Sequence, residues 1–171
     1  MYDMISRPNT DEYSEYAARY VNLVGQDPIL DILERQKNES YELFSGLTDR
    51  AMYAYAEGKW TIKQIVGHMA DTERIFAYRS LVFSHESITL PGFDQDVYMK
   101  QATFNSRPLE DLANELKTVR ECSLYLFRNM TDAQSKQTGI ASGSPFSPRA
   151  YAYMIAGHEQ HHWNILKERY L

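Results

Sequence analysis

Two histidines near the end of the chain have the spacing of metal ligands on a helix. His158 and His162 are four residues apart in the run His-Glu-Gln-His-His. Four residues turn an α-helix by ~400°, so the two imidazoles point only ~40° apart, one turn above the other. Such a pair can bind one ion from a single rigid element. The spacing therefore predicts a metal site on the last helix.

The histidine pair falls on the apolar side of its helix. Four apolar residues lie within ~60° of His158 on a helical wheel: Tyr151, Met154, Ile155 and Ile165. Each buried imidazole has two ring nitrogens that need partners, so burial without a partner costs free energy. A shared ion would bind one nitrogen of each, and we expect Tyr151 near it, in contact with a substrate. His161 is at the edge of the stripe, where it could orient a ligand, contact a substrate or face solvent.

A third ligand should come from a neighbouring helix, and His68 is the candidate. It lies at the flank of an apolar stripe, where a histidine can equally be an ordinary core or boundary residue. Gly67 precedes His68 and Gly157 precedes His158. A glycine inside a helix costs roughly 1 kcal/mol relative to alanine. These two glycines would let helices approach closely or leave room near an ion.

Acidic residues near the histidines are candidates for proton transfer. Asp71 follows His68 by three residues and lies ~60° from it on the wheel, where it could act as a base, orient a ligand or form a salt bridge. Glu159 should face ~100° away from His158, so we do not assign it the glutamate role of the zinc-protease motif.

A long connection over residues 85–107 could cover the site. It contains Asp94, Asp96 and Tyr98, and we predict that Asp94 and Tyr98 bind substrate at the mouth of the site. Turn formation and helix capping are the alternative roles for these residues.

Helical periodicity accounts for most of the chain, which predicts an all-α fold. The expected helices are a short one over Asp11–Val24 and four longer ones: from Asp27-Pro28 to about Leu47, from Thr61 to about Ser84, from about Pro108 to Met130, and from Ser147-Pro148 to Tyr170. Four long helices with one apolar face each predict a four-helix bundle, with an irregular α-domain as the alternative. The long loop then joins the second and third bundle helices. Residues 139–147 look flexible, and Ala51–Ala56 could be a short hairpin arm.

Composition excludes several classes of partner. The 171 residues suffice for one domain, which we place at 1–171. A net charge of −5 without a basic run argues against nucleic-acid and membrane surfaces as partners.

The single cysteine, Cys122, cannot form an internal disulfide and is more easily explained as structural than as a nucleophile. No apolar stretch approaches the ~18 residues of a membrane span, and Met1–Pro8 lacks a signal-peptide pattern. We therefore predict a cytoplasmic location.

Several short motifs, taken in order, resemble one known family. They are Trp60 before a helix, Gly67-His-Met-Ala-Asp-Thr-Glu73, Leu90-Pro-Gly-Phe-Asp-Gln-Asp-Val-Tyr98, and His158-Glu-Gln-His-His162. From about Asp27 to Leu171 the chain resembles the DinB-like (YfiT-like) superfamily of metal-binding four-helix bundles. The resemblance implies that His68, His158 and His162 bind a divalent metal. It also implies a small-molecule substrate and a homodimer, because members often form dimers.

The family that the chain resembles includes metal-dependent hydrolases and enzymes that use a thiol, such as mycothiol- or bacillithiol-dependent transferases and maleylpyruvate isomerase. Three imidazoles leave at least one position of a metal open, as in catalytic sites. Zn²⁺ or Ni²⁺ are the expected ions, with Co²⁺ and Fe²⁺ as alternatives. Water in the open position, with its pKa lowered towards ~7, would attack an ester or amide. Alternatively, a low-molecular-weight thiol would bind there as cosubstrate. A non-catalytic metal-binding or dimeric interaction module is the third possibility.

Overall fold

A computed structural model describes residues 5–171. Within that range the helices are α1 (Glu15–Val21), α2 (Ile29–Gly46), α3 (Ile62–Phe83), α4 (Gln95–Gln101), α5 (Leu109–Arg128), α6 (Asp132–Lys136) and α7 (Pro148–Arg169), and the strands are β1 (Thr89–Leu90), β2 (Gly139–Ala141) and β3 (Ser144–Phe146). Three short 3₁₀ turns add Thr10–Glu12, Thr48–Arg50 and Phe104–Ser106. The prediction about a signal peptide falls partly on residues 1–4, which lie outside the described residues.

The four long helices form the bundle that was predicted. α2 packs against α5 and α7, and α3 packs against the same two helices. Consecutive helices α2 and α3 therefore occupy opposite corners, while α5 and α7 fill the other two. The all-α fold class, the extra N-terminal helix and the long connection between α3 and α5 are confirmed. No helix in residues 5–171 is long and apolar enough to cross a membrane.

The helix boundaries follow the capping residues closely. Thr61 begins α3 with a reciprocal capping box with Gln64, as predicted. Ser147 caps α7, whose first residue is Pro148, also as predicted. The N-cap of α2 is Pro28, one residue later than the expected Asp27, whose carboxylate lies 3.3 Å from Arg35.

The N-terminal segment is divided where a single helix was expected. A 3₁₀ turn over Thr10–Glu12 ends before Ser14, whose hydroxyl caps α1. α1 then packs along α7, the helix that carries two of the candidate ligands. The extra helix therefore belongs to the surroundings of the candidate site.

A small sheet replaces two of the expected irregular segments. β2 pairs with β1 in parallel and with β3 in an antiparallel hairpin. The hairpin turn places Ser142 at φ 52° and Gly143 at φ 79°, the pair of positive angles that tight two-residue hairpins require. The flexible connection expected at residues 139–147 was thus wrong. The hairpin arm expected at Ala51–Ala56 was also wrong, since that segment forms turns, in which the Tyr53 N–H donates to the Arg50 carbonyl.

Candidate metal centre

Three imidazoles meet between α3 and α7. The Nε2 atom of His158 lies 3.1 Å from Nε2 of His68 and 3.1 Å from Nε2 of His162. The three side chains are only 5%, 6% and 7% exposed for His68, His158 and His162. The helical spacing places His158 and His162 on one face, and the packing of α3 against α7 adds His68. The structure therefore brings together all three residues predicted as ligands.

The cluster fits a small divalent ion. Three nitrogens bound tetrahedrally at ~2.0–2.1 Å from a zinc ion would lie ~3.3–3.4 Å apart. The two Nε2–Nε2 distances of 3.1 Å are close to that value. A hydrogen bond needs one nitrogen of each pair to carry the proton, so converging imidazoles cannot all satisfy each other as well as a shared cation would. Nitrogen donors of this kind suit zinc, nickel, cobalt or ferrous iron.

The surroundings keep the three imidazoles neutral, as metal binding requires. Burial lowers the pKa of His68 from its usual 6.5 to about 4, and the charge of His161 acts in the same direction. Burial also lowers the pKa values of His158 and His162 well below 6.5, with neighbouring histidines adding to the effect. Neutral rings leave lone pairs free for a ligand bond at neutral pH.

Both glycines beside the candidate ligands are required by close contacts. A Cβ atom at Gly157 would lie 2.0 Å from the carbonyl oxygen of Tyr20, a backbone atom of α1. A Cβ atom at Gly67 would lie 2.4 Å from the ring of Phe104. The predicted close approach of two helices is confirmed at Gly157, whereas Gly67 makes room for the side chain of Phe104. Gly157 allows the backbone of α1 to lie directly against α7 next to His158.

An open cavity of about 630 Å³ adjoins the histidine cluster. His68 and His158 contribute to its wall. Its other lining residues come from α1 and its N-cap, from α3 and α7, from the segment at the start of α4, and from the hairpin. They are Ser14, Tyr16, Ala17, Tyr20, Thr72, Phe76, Arg79, Phe93, Asp94, Gln95, Ser142, Ser144, Phe146 and Met154. The N-terminal helix thus forms one side of a cleft large enough for a small organic molecule.

The acidic and aromatic candidates of the long connection lie near the cleft in different ways. Asp94 lines it, and its carboxylate also caps α4 by accepting from the Asp96 N–H at 2.8 Å. Tyr98 is half exposed, with its ring 5.7 Å from that of Phe93. Tyr98 lines a narrow crevice beside His68. Asp94 therefore both caps a helix and lines the cleft, two roles that the sequence analysis gave as alternatives.

Asp71 lines the same crevice and forms a salt bridge with an arginine. Its carboxylate is 3.1 Å from Arg74, which also binds Glu115. Burial raises the pKa of the Asp71 carboxyl, and Arg74 only partly offsets this. The salt bridge that the sequence analysis gave as an alternative role is present. Burial moves the pKa of the Asp71 carboxyl upwards, in the direction of neutral pH.

The two other predicted substrate contacts lie outside the residues that line the cleft. Tyr151 is fully buried behind it, with its ring stacked on that of Phe146 at 5.1 Å. His161 is half buried, and its ring is 5.6 Å from that of Tyr20. Tyr20 also packs on His158 at 5.4 Å. The ring of His161 also lies 5.2 Å from that of His162, so His161 borders the cluster although it is not one of its three converging residues.

A buried ionic network beside the cluster was missed at the level of sequence. Arg120 of α5 donates to both carboxylate oxygens of Glu73, at 2.8 and 2.9 Å, and to Glu159. Glu159 also accepts from the hydroxyl of Ser40, which in turn accepts from Trp163. Burial opposes the charge of Arg120, but the two carboxylates outweigh it and raise its pKa. The network ties α3, α5 and α7 together next to His158.

The sequence did carry a signal for this network. Arg120 is four residues after Leu116 and four before Leu124, and Glu73 is four after Met69. Charged residues at positions of an apolar stripe are unusual unless they are paired. Opposite charges on two stripes would have suggested a buried ion pair.

Comparison with known proteins gives three results. The sequence matches the DinB superfamily over residues 32–166. A protein of Oceanobacillus iheyensis, named as a candidate metal-dependent hydrolase, is 29% identical over 138 residues, which are 79% of each chain. YfiT from Bacillus subtilis, described as a probable metal-dependent hydrolase with an unusual four-helix bundle topology, has a similar structure with a TM-score of 0.69. That match has 16% identity and covers 95% of this chain and 90% of the other.

Proposed function

Because the chain belongs to the DinB superfamily, we propose that it is a metal-dependent hydrolase of a small-molecule ester or amide. His68, His158 and His162 would bind one divalent ion, zinc or nickel in the first place. The relative from Oceanobacillus iheyensis, named as a candidate metal-dependent hydrolase, supports this reading. The homodimer and the cytoplasmic location expected from the sequence are part of the same proposal.

One observation carries the proposal. Three buried, neutral imidazoles converge on one point, and two of them line a cleft of about 630 Å³. A structural metal site is closed by protein ligands, whereas a catalytic site combines three ligands with access for water and substrate. A divalent ion bound there supplies Lewis acidity and lowers the pKa of water.

The chain's own residues would bind the substrate and move the proton. Phe76, Phe93 and Met154 give the cleft apolar walls that would hold an apolar part of the substrate and exclude water. We assign Asp71 as the group that takes a proton from the attacking water and returns it to the leaving oxygen or nitrogen. Asp71 lines the narrow crevice beside His68, and its raised pKa suits such a shuttle better than that of an ordinary exposed carboxylate.

Metal content of purified variants tests the site. We expect about one ion per wild-type chain, and an affinity lower by ~100-fold or more in His158→Ala and in the His158→Ala/His162→Ala double variant, because each removes a direct ligand bond. His161→Ala is the matched control, since His161 is adjacent in sequence but outside the cluster. Equal metal in wild type and double variant would reject the three-histidine site.

Turnover assays separate the hydrolase from its alternatives. Metal-loaded protein is offered generic esters and amides, and electrophiles with and without bacillithiol, glutathione or coenzyme A. Hydrolysis without thiol, lost in His158→Ala, is the expected result. Turnover only with thiol would assign a transferase instead. The thiol would then be a cosubstrate, because Cys122, the only cysteine of the chain, is not among the residues that line the cleft. No turnover of any of them would favour a non-catalytic metal-binding module.

A further inference from the structure

Arg79 differs from the other buried arginines of the described chain. Arg120 and Arg149 each bind a glutamate through two guanidinium nitrogens. Arg79 is only 5% exposed, yet it makes no ion pair with any carboxylate in residues 5–171. Its guanidinium donates from Nη2 to the carbonyl oxygen of Pro91, at 2.7 Å, and its central carbon lies 5.5 Å from the centre of the Phe93 ring. The charge of Arg79 is thus buried without an anion.

A second polar group near Arg79 also lacks a partner. The hydroxyl of Tyr151 is buried and makes no hydrogen bond within the described part of the chain. Burial raises the pKa of Tyr151 to about 12, and the neighbouring guanidinium of Arg79 acts in the opposite direction, first by its charge and second by its approach to the hydroxyl. A guanidinium carries five N–H donors, and a tyrosine hydroxyl adds one. Unused donors of this kind cost free energy unless an acceptor enters from outside.

Arg79 lines the same cleft as the candidate metal ligands. It follows His68 by eleven residues on α3, which places it on the same helix face, ~20° around and ~16 Å further along the axis. Both residues belong to the wall of the 630 Å³ cavity. The wall also contains the apolar side chains of Phe76, Phe146 and Met154. The cleft therefore has a cluster of nitrogen ligands towards one end, a buried positive charge towards the other, and apolar walls.

The only carboxylate among the lining residues does not neutralise Arg79. Asp94 is exposed, and one of its oxygens caps α4 by accepting from Asp96 N–H. Its charge is therefore in contact with solvent, which weakens its effect on the buried end of the cleft. Arg79 is therefore the cation among the lining residues that is available to bind an anion entering the cleft.

We propose that Arg79 binds a carboxylate of the substrate, so that the substrate class is an ester or amide whose free carboxylate is separated from the scissile bond by an apolar segment. Arg79 is then a specificity-determining residue that orients the substrate along the cleft. Guanidinium and carboxylate match in a bidentate geometry, which fixes direction as well as charge. The identity of the scissile bond rests on the proposed hydrolase function. Binding of an anion by Arg79 is independent of that function.

Calorimetric binding of linear carboxylates and of their primary amides tests the inference without turnover. The probes are paired from four to twelve carbons, for example octanoate with octanamide, and are added to the full chain with the same metal content in each variant. We expect wild type to bind the best carboxylate ~10- to 100-fold more tightly than its amide, the range of a buried charge-assisted pair. Arg79→Gln should lose that preference and bind the amide as wild type does.

Arg19→Gln is the matched control, because Arg19 is an exposed arginine of α1 outside the lining of the cleft. It should keep the preference, which separates a specific site from a general effect of net charge. The inference is overturned if wild type shows no carboxylate preference at any chain length, or if Arg79→Gln keeps it. It is also overturned if Arg79→Gln weakens both probes equally, since Arg79 would then only hold the Pro91 loop. A failure of hydrolysis with this preference intact would reject the proposed function alone.

Discussion

Arg120 is a charge in the middle of the bundle that two carboxylates stabilise. It is 1% exposed and contacts Glu73, Glu159 and the carbonyl oxygen of Leu33. Removing one partner of a buried pair leaves an uncompensated charge. We expect Arg120→Met to lower the free energy of unfolding by ~3–5 kcal/mol, measured by urea denaturation. The loss comes from the two carboxylates left without a cation, more than from the missing arginine itself.

Neutralising those carboxylates tests this explanation. The triple variant Arg120→Met/Glu73→Gln/Glu159→Gln removes the charges together, and we expect it to recover part of the lost stability. If the triple variant is as unstable as the sum of its single changes, the network is not an electrostatic unit. The same variants report on the metal site, because Glu159 is adjacent to His158 in the chain.

At the scale of elements, the contact between α1 and α7 controls one wall of the cleft. Gly157→Ala would place a Cβ atom 2.0 Å from the carbonyl oxygen and 2.4 Å from the carbonyl carbon of Tyr20. Backbone atoms cannot rotate away as a side chain can, so α1 must shift. We expect a loss of ~1–3 kcal/mol in the free energy of unfolding, as for other overpacked positions, measured by urea denaturation.

Gly46→Ala is the control for this substitution. Gly46 is the last residue of α2, and a Cβ atom there meets nothing within 4 Å. Alanine should be neutral or stabilising by up to ~1 kcal/mol, because it restricts the unfolded chain. Equal effects of the two substitutions would mean that α1 moves freely on α7 and does not form a fixed wall.

For the whole molecule, the sequence predicts what depends on one helix and misses what depends on which helices are neighbours. The positions of His158 and His162 follow from the helical period, and the ends of α3 and α7 follow from local capping. The motif-based resemblance to the DinB superfamily is confirmed, and it favours His68, already a candidate from its helical position, as the third residue of the cluster.

The unpredicted features all join distant parts of the chain. Arg120 reaches Glu73 and Glu159 only because α5 lies beside α3 and close to α7. The hairpin is completed by β1 from the long connection, more than 45 residues earlier in the chain. Periodicity says which face of an element is buried, but it does not say which partner covers that face. Arg79 was missed for the same reason, since its lack of a carboxylate is visible only in three dimensions.

The ion pair of Glu12 and Arg149 links the N-terminal turn to the start of α7, so its titration should affect unfolding of the whole chain. Glu12 accepts hydrogen bonds from Arg149 at 2.6 Å and from Ser147 at 2.7 Å. Burial raises the pKa of Glu12, but these hydrogen bonds and the charge of Arg149 outweigh it and hold the pKa below its usual 4.5. A lowered pKa in the folded state means that ionised Glu12 stabilises the fold above pH 4.5, and that this contribution is lost as the pH falls through the folded-state pKa.

Comparison of wild type with Glu12→Gln isolates this contribution. Glutamine resembles the protonated acid, so the variant should be less stable than wild type by ~3–5 kcal/mol at pH 7, where Arg149 loses its buried partner. Below pH 4.5 the difference should shrink, because wild type loses the pair while the variant has none to lose. Urea denaturation at a series of pH values between 7 and 3 measures it. A constant difference over that range would show that Glu12 acts through packing and not through its charge, since packing does not titrate.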